Sequence, residues 1–154
     1  MVGESTIARS RLTACASEAR VVRAALGVDE IEALVDEAGK RGFLWHLFRV
    51  DRNGPEVLAG VLRWPSCTDV VVLIDDRQSH AYRVPTTGAA VDVFAPGWVH
   101  WFYGMSEEVG MAWVLRALLT LPAPGEPDSL PAPVRAPAGI GVAGDRSPVV
   151  IRRR

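Results

Sequence analysis

Three histidines are the residues of this chain that are best suited by type to hold a metal ion. His46, His80 and His100 are its only histidines, and each lies in a separate strand-like segment. Imidazoles from neighbouring strands can converge on one ion, as in three-histidine zinc sites. Convergence depends on strand register, which the spacing does not determine. A small metal-dependent enzyme is therefore one hypothesis, and a hydrogen-bonded core role for each imidazole is the alternative.

A second set of polar residues surrounds a predicted hairpin. Asp75 and Asp76 form its tip, and Arg83 follows in the returning strand. Paired carboxylates on a loop can act as a general base or bind a divalent ion, and an arginine can bind an anion. The same residues also suit an ordinary turn. They form a candidate polar cluster, to which no catalytic role is assigned.

Aromatic residues are concentrated in the segment 94–104, which we call the aromatic segment. Five of its eleven residues are aromatic, although aromatic residues make up only 7% of the chain. Such a cluster either fills a core or forms a recognition surface. The candidate binding residues are Phe94, Trp98, Trp101 and Tyr103. This segment favours a non-catalytic binding, adaptor or regulatory protein, and a pocket beneath it would make the protein a small-molecule sensor.

Composition argues against several other classes of protein. The chain has 154 residues, a net charge of −1 and a pI near 6.3. It therefore has no net positive charge that would attract nucleic acid or an anionic membrane. The residues at the start of the sequence lead us to expect no secretory signal, no apolar run is long enough to span a membrane, and Cys15 and Cys67 have no disulfide or zinc spacing. We expect a cytoplasmic protein that binds neither nucleic acid nor membrane. Its strong preference for arginine over lysine is typical of a bacterial genome rich in GC.

The standard catalytic and nucleotide-binding motifs are missing from the sequence, so no cofactor is predicted. The segment 139–144 mimics a glycine-rich dinucleotide loop in composition. It has neither the preceding strand nor the following helix that such a loop requires.

The central elements should be strands. The apolar run 70–74 predicts a strand that is buried on both faces. Short turns separate four such segments, and Asn53-Gly54 in the first turn favours a tight reversal. These connections predict an antiparallel meander, with its strands at 43–50, 57–64, 69–75 and 79–84.

Helices should flank this sheet on both sides in sequence. Apolar spacing predicts a first helix from Ser5 to Leu26. Asp29 caps a second helix, which Gly39 or Gly42 ends. Ser106 caps a third helix, which is apolar around nearly its whole circumference. The first and third helices are therefore the candidate contacts of a homodimer.

The C-terminal part of the chain differs in composition from the rest. The range 122–148 contains seven of the eleven prolines and predicts a flexible tail. We therefore place one domain at 1–121 and a Pro/Gly-rich tail at 122–154, which ends in a possible edge strand and three arginines. The predicted class is α+β: a mostly antiparallel sheet of four to five strands packs with two N-terminal helices and one buried C-terminal helix.

Overall fold

The computed structural model of the protein describes residues 28–49, 56–74, 78–87, 91–106, 109–125, 130–142 and 148–151. Its helices are α1 (Val28–Lys40) and α2 (Met111–Thr120). Its strands are β1 (Leu44–Arg49), β2 (Glu56–Arg63), β3 (Cys67–Leu73), β4 (His80–Pro85), β5 (Trp98–Val99), β6 (Trp101–Gly104), β7 (Val134–Arg135) and β8 (Pro148–Ile151). The predicted α+β class is confirmed. The first predicted helix, from Ser5 to Leu26, lies outside the described residues.

The main sheet is antiparallel and has the strand order β6-β4-β3-β2-β1-β8. Strands β1 to β4 form the predicted meander. Strands β6 and β8 extend it at its two edges to six strands, one more than the upper predicted number. Strand β6 is four residues long, so it has no room for a clear alternation of apolar and polar residues, whereas β8 lies where the sequence analysis placed a possible edge strand. Strands β5 and β7 form a separate two-stranded sheet.

One face of the main sheet, which we call the helix face, packs against α1 and α2. Alternate residues of each strand point to this face. They meet apolar residues of both helices in one buried cluster. The cluster includes Ile31, Val35, Ala38, Trp45, Leu47, Leu58, Val71, Leu73, Ala81, Met111, Val114, Leu115 and Leu118.

The opposite face is covered by irregular chain instead of helices. Its cover consists of residues 93–99 and of residues 136–142, which we call the strap. The apolar side chains between this cover and the sheet form a second buried cluster. It includes Phe48, Val57, Ala59, Val61, Val70, Val72, Tyr82, Val84, Val93, Val99 and Val142. We call this side of the sheet the strap face. Burial on both faces explains why β3 is apolar along most of its length.

The helix ends show which predicted caps are used. Gly42 has a φ of 108°, and the next N–H, from Phe43, donates to the carbonyl of Ala38 at 3.0 Å, as in a Schellman motif. The predicted start of the third helix at Ser106 was wrong. Helix α2 begins at Met111 with Gly110 at its N-cap and no side-chain cap, and the N–H of Val109 donates to the carbonyl of Ser106 at 3.1 Å.

Helix α2 is also less buried than its composition suggested. Its side chain Trp113 is 58% exposed, and the guanidinium of Arg116 lies 5.1 Å from the centre of the Trp113 ring. Arg116 also forms an ion pair with Glu30 of α1. Neither of the described helices is long and apolar enough to cross a membrane.

Several residues beyond Pro122 contact the body of the protein. Strand β7 pairs with β5, the strap covers the strap face, and β8 pairs with β1. The division of the chain at residue 121 stays a prediction. The contacts nevertheless mean that parts of the Pro/Gly-rich range share a core with the sheet.

Candidate functional site

Two of the three histidines share a face of the sheet but do not meet. His46, Ala59, Val72 and His80 are successive partners across β1 to β4. Neighbouring strands lie ~4.8 Å apart, so three steps separate the two histidines by about 14 Å. Among the described residues, no group of three or more His, Cys, Asp or Glu side chains could hold a metal ion.

The third histidine is bonded to a different part of the chain. His100 lies between β5 and β6, where its backbone N–H donates to the carbonyl of Arg83 at 2.8 Å. Its ring Nδ1 lies 2.7 Å from the carbonyl oxygen of Pro131. The geometry therefore gives no support to a shared three-histidine metal site.

His80 is buried and its hydrogen bonds define its protonation state. The backbone N–H of Gly141 donates to Nε2 at 2.9 Å, so Nε2 carries no proton. Nδ1 lies 2.7 Å from the carbonyl oxygen of Gln78 and must carry the proton that is donated there. Burial lowers the pKa of His80 and outweighs the Gln78 carbonyl, which favours the charged form. The ring is thus a neutral link between β4 and the strap.

The predicted polar cluster is described at only one of its members, because Asp75 and Asp76 lie outside the described residues. Arg83 lies on the helix face opposite Asp69 of β3. Its Nε and Nη2 donate to the two carboxylate oxygens of Asp69 at 2.6 and 2.9 Å, and both side chains are about 95% buried. Burial alone would lower the pKa of Arg83, but the hydrogen bond and charge of Asp69 raise it overall.

This ion pair also joins two other parts of the chain. Trp64 Nε1 donates to Asp69 at 2.9 Å, and Arg83 Nη2 donates to the carbonyl of Pro122, just after α2, at 2.9 Å. All of these donors and acceptors belong to the fold itself. Arg83 is therefore not placed to bind an anion from solution, and its role is to connect β3, β4 and the end of α2.

Cys67, the other reactive residue type in this region, is fully buried and is a free thiol. Burial raises its pKa, which keeps it protonated and weakly nucleophilic.

The aromatic segment divides into a part that fills a core and a part that is exposed. Phe94 packs edge-on against His46 and Phe48 of β1, with ring centres 5.3 and 4.9 Å apart. It therefore belongs to the strap face. Trp98 is 50% exposed, and the guanidinium of Arg135 lies 5.6 Å from its ring centre. The protein's own strand β7 thus covers part of the segment at Trp98.

The remaining aromatic residues lie on β6, at one edge of the sheet. Trp101 and Tyr103 stand on the helix face with parallel rings, 6.3 Å between centres. Phe102 points to the opposite face and is 47% exposed, and Tyr103 is 36% exposed. Strand β6 therefore presents aromatic side chains on both faces of an edge.

The backbone of β6 also has a free side within the described fold. Met105 N–H donates to the carbonyl of Ser79 at 3.1 Å, which marks these two residues as a hydrogen-bonded pair. Such pairs alternate along an antiparallel ladder, so Tyr103 also bonds to β4. Phe102, the residue before Tyr103, then occupies a non-hydrogen-bonded position of the ladder and directs its N–H and C=O away from β4. No described strand pairs with this outer edge.

The sequence analysis missed several residues that define these sites. Phe102 was left out of the binding set, although a strand that places Trp101 and Tyr103 on one face must turn Phe102 to the other. The third helix was predicted only as apolar around nearly its whole circumference, which did not distinguish the exposed Trp113 from its buried neighbours. The link between His80 and Gly141 had no sequence signal, since it joins a side chain to a backbone N–H that is 61 residues away.

Comparisons with protein-family models, with curated proteins and with solved structures found no match to this chain. Functional inference therefore depends on the geometry described above.

Proposed function

We propose that this protein is a non-catalytic binding protein that takes up an extended segment of a protein partner along the outer edge of β6. The observation that carries the proposal is Phe102, whose backbone N–H and C=O point outward and whose ring is 47% exposed. In binding by strand addition, backbone hydrogen bonds supply affinity and alternate side chains supply specificity.

The composition of β6 supports this use. Edge strands in natural sheets are commonly protected by charged residues, prolines or bulges. Strand β6 instead reads Trp-Phe-Tyr-Gly, with three aromatic residues and no charge. Aromatic rings offer a large contact area at a small cost in side-chain entropy, which is why binding surfaces are rich in them.

The neighbouring strand shows that this part of the chain already accepts an antiparallel strand. Strand β7 pairs with β5 over two residues, Trp98 with Arg135 and Val99 with Val134. Pro133 directly precedes Val134, at the end of this ladder nearer β6, and has no N–H to donate, so it ends the ladder. A partner strand without this proline could bond to β6, where the protein's own strand stops.

Variants at Phe102 test the proposal. Phe102→Pro removes the outward N–H, whereas Phe102→Ala removes the ring and keeps the backbone. Peptides would be selected from a displayed random library against the full chain, and their affinities measured by fluorescence anisotropy. We expect Phe102→Pro to weaken binding about tenfold or more, and Phe102→Ala to weaken it several-fold.

Trp113→Ala is the matched control, because Trp113 is an aromatic residue at least as exposed as Phe102 but lies on α2. It should leave peptide affinity within about twofold of the unmodified protein. Peptides that bind Phe102→Pro as tightly as the unmodified protein, or a library that yields no binder, would contradict the proposal. Circular dichroism verifies that each variant is folded.

A homodimer through α2 is the second candidate, and the exposed ring of Trp113 favours it. Sedimentation of the same variants separates the two. A dimer that dissociates in Trp113→Ala but persists in Phe102→Pro would assign the contact to α2.

A further inference from the structure

His80 and Gly141 form a hydrogen bond that belongs neither to the aromatic strand β6 nor to the ion pair of Asp69 and Arg83. The ring of His80 is 1% exposed and stacks on Tyr82, with 5.9 Å between ring centres. Its Nε2 accepts the N–H of Gly141, and its Nδ1–H donates to Gln78. A backbone N–H of the strap thus depends on a histidine side chain for its acceptor.

The strap has a second attachment beside this one. The N–H of Val142 donates to the carbonyl of Phe94 at 2.8 Å. Gly141 has a φ of 94°, and a Cβ at this position would lie 2.2 Å from the Phe94 oxygen. The strap therefore fits closely against residues 93–94, and its side chains Ile140 and Val142 pack into the strap face.

We propose that His80 is a pH-sensitive latch: its neutral ring holds the strap on the sheet, and its protonation releases the strap. A protonated imidazole has two N–H donors and no acceptor. Nε2–H would then face the N–H of Gly141, so both groups would lose a partner inside the core. Moving the strap away restores hydration to both. The latch does not depend on the proposed binding function.

The groups around His80 offer little to stabilise a positive charge. Strand β3 contributes Val72 and β6 contributes Gly104 at the paired positions. Tyr82 on β4 is neutral, because burial raises its pKa, and its hydroxyl donates to the carbonyl of Val93 at 2.7 Å. Asp92 is exposed and influences Tyr82 rather than His80. No carboxylate of the described chain pairs with the ring.

The direction of the pH response follows from linkage. The pKa of His80 is lowered in the closed protein, whereas in an open strap it returns toward about 6.5. Closure is therefore fully favoured above about pH 6.5 and becomes weaker as the pH falls through the pKa of the closed form. Opening the strap exposes only part of the strap face, so the cluster under the helices keeps its packing.

Amide hydrogen exchange by NMR tests this latch in the full chain. Protection factors, corrected for the intrinsic exchange rate, would be compared at about pH 7.5 and about pH 5, on either side of the ordinary histidine pKa of about 6.5. We expect Gly141 and Val142 to lose protection about tenfold or more at the lower pH. Leu58 and Val71, under the helices, should keep theirs. Simultaneous loss at all four amides would overturn the proposal.

His80→Gln provides the sharpest comparison, because its amide oxygen can accept the Gly141 N–H and does not titrate. Its strap should stay protected at both pH values. His46→Gln is the control: it removes the other buried histidine of this face, which makes no hydrogen bond to the strap, and should keep the pH response. Equal loss of strap protection in His80→Gln and the unmodified protein would refute the latch.

Should His80→Gln not fold, the unmodified protein still decides the question. The ¹⁵N shifts of the His80 ring and the amide shifts of Gly141 can be titrated together. Coinciding midpoints are expected for a latch, and strap movement at a midpoint different from that of His80 would overturn it.

Discussion

Strand β4 contributes buried side chains to both faces of the sheet, and these side chains bind the backbone of the segments that cover each face; on the strap face the hydroxyl of Tyr82 also donates to the carbonyl of Val93. Arg83 on the helix face donates to the carbonyl of Pro122, whereas His80 on the strap face accepts from Gly141. Arg83 is charged and paired with Asp69, but His80 is neutral and has no carboxylate partner among the described residues. The residues after α2 are thus attached to the helix face through the ion pair of Arg83 and Asp69, which stays charged. The strap is attached to the strap face through the hydrogen bond of His80 to Gly141, which requires a neutral imidazole.

Removing the partner of Arg83 should have the largest effect on stability. Asp69→Ala leaves the guanidinium buried without its carboxylate and also removes the acceptor of Trp64. Breaking one side of a buried ion pair typically costs 3–5 kcal/mol, so we expect a loss of about 4 kcal/mol in the free energy of unfolding. Urea denaturation measures it.

An exposed ion pair at the C-terminal end of α1 provides the control. Glu37 and Arg41 lie 3.4 Å apart with about half of each side chain exposed, and Glu37→Ala should cost no more than about 0.5 kcal/mol. A loss below about 1 kcal/mol in Asp69→Ala would mean that Arg83 is hydrated, and the contrast between the faces would fail.

Sequence reasoning found the strands of the meander because burial on both faces leaves an apolar run that is readable without knowledge of the partner strands. It could not find the pair Asp69–Arg83, since only the register of β3 and β4 places these residues opposite each other. Arg83 was therefore interpreted as a possible anion ligand.

The strap was missed for a different reason. Glycine and proline content predicts a lack of regular structure, and residues 136–142 indeed form neither helix nor strand. Composition does not say whether irregular chain finds acceptors for its backbone N–H groups. Here His80 and Phe94 supply them, so an irregular segment becomes part of the core.

Gly141→Ala should disrupt the packing of the strap against the sheet without replacing a titratable residue. The φ of 94° and the short approach to the Phe94 oxygen both exclude a Cβ, so we expect a loss of about 2–3 kcal/mol in unfolding free energy. Gly97→Ala is the control, because a Cβ there meets nothing within 4 Å, and it should change stability by less than about 0.5 kcal/mol. Equal costs for the two variants would show that the strap does not pack as closely as described.

His46→Phe should change the free energy of unfolding least of these variants, and it should raise stability rather than lower it. The Nδ1 of His46 is buried with no hydrogen-bond partner in the described part of the chain, and its ring packs edge-on against Phe94. Phenylalanine keeps this ring contact and removes the unsatisfied nitrogen. We expect the free energy of unfolding at about pH 7.5, measured in urea, to be unchanged or raised by up to about 1 kcal/mol.

The same substitution should also flatten the pH dependence of stability. Burial lowers the pKa of His46, so its neutral form is favoured in the folded protein and its contribution is lost as the pH falls below about 6.5. His46→Phe removes that loss and should be less destabilised than the unmodified protein at about pH 5.

His80→Phe, by contrast, leaves Gly141 without its acceptor and should cost about 1–3 kcal/mol at neutral pH. If both variants were equally destabilised, the hydrogen bonds of His80 to Gly141 and Gln78 would contribute nothing measurable, because His46 makes neither of them.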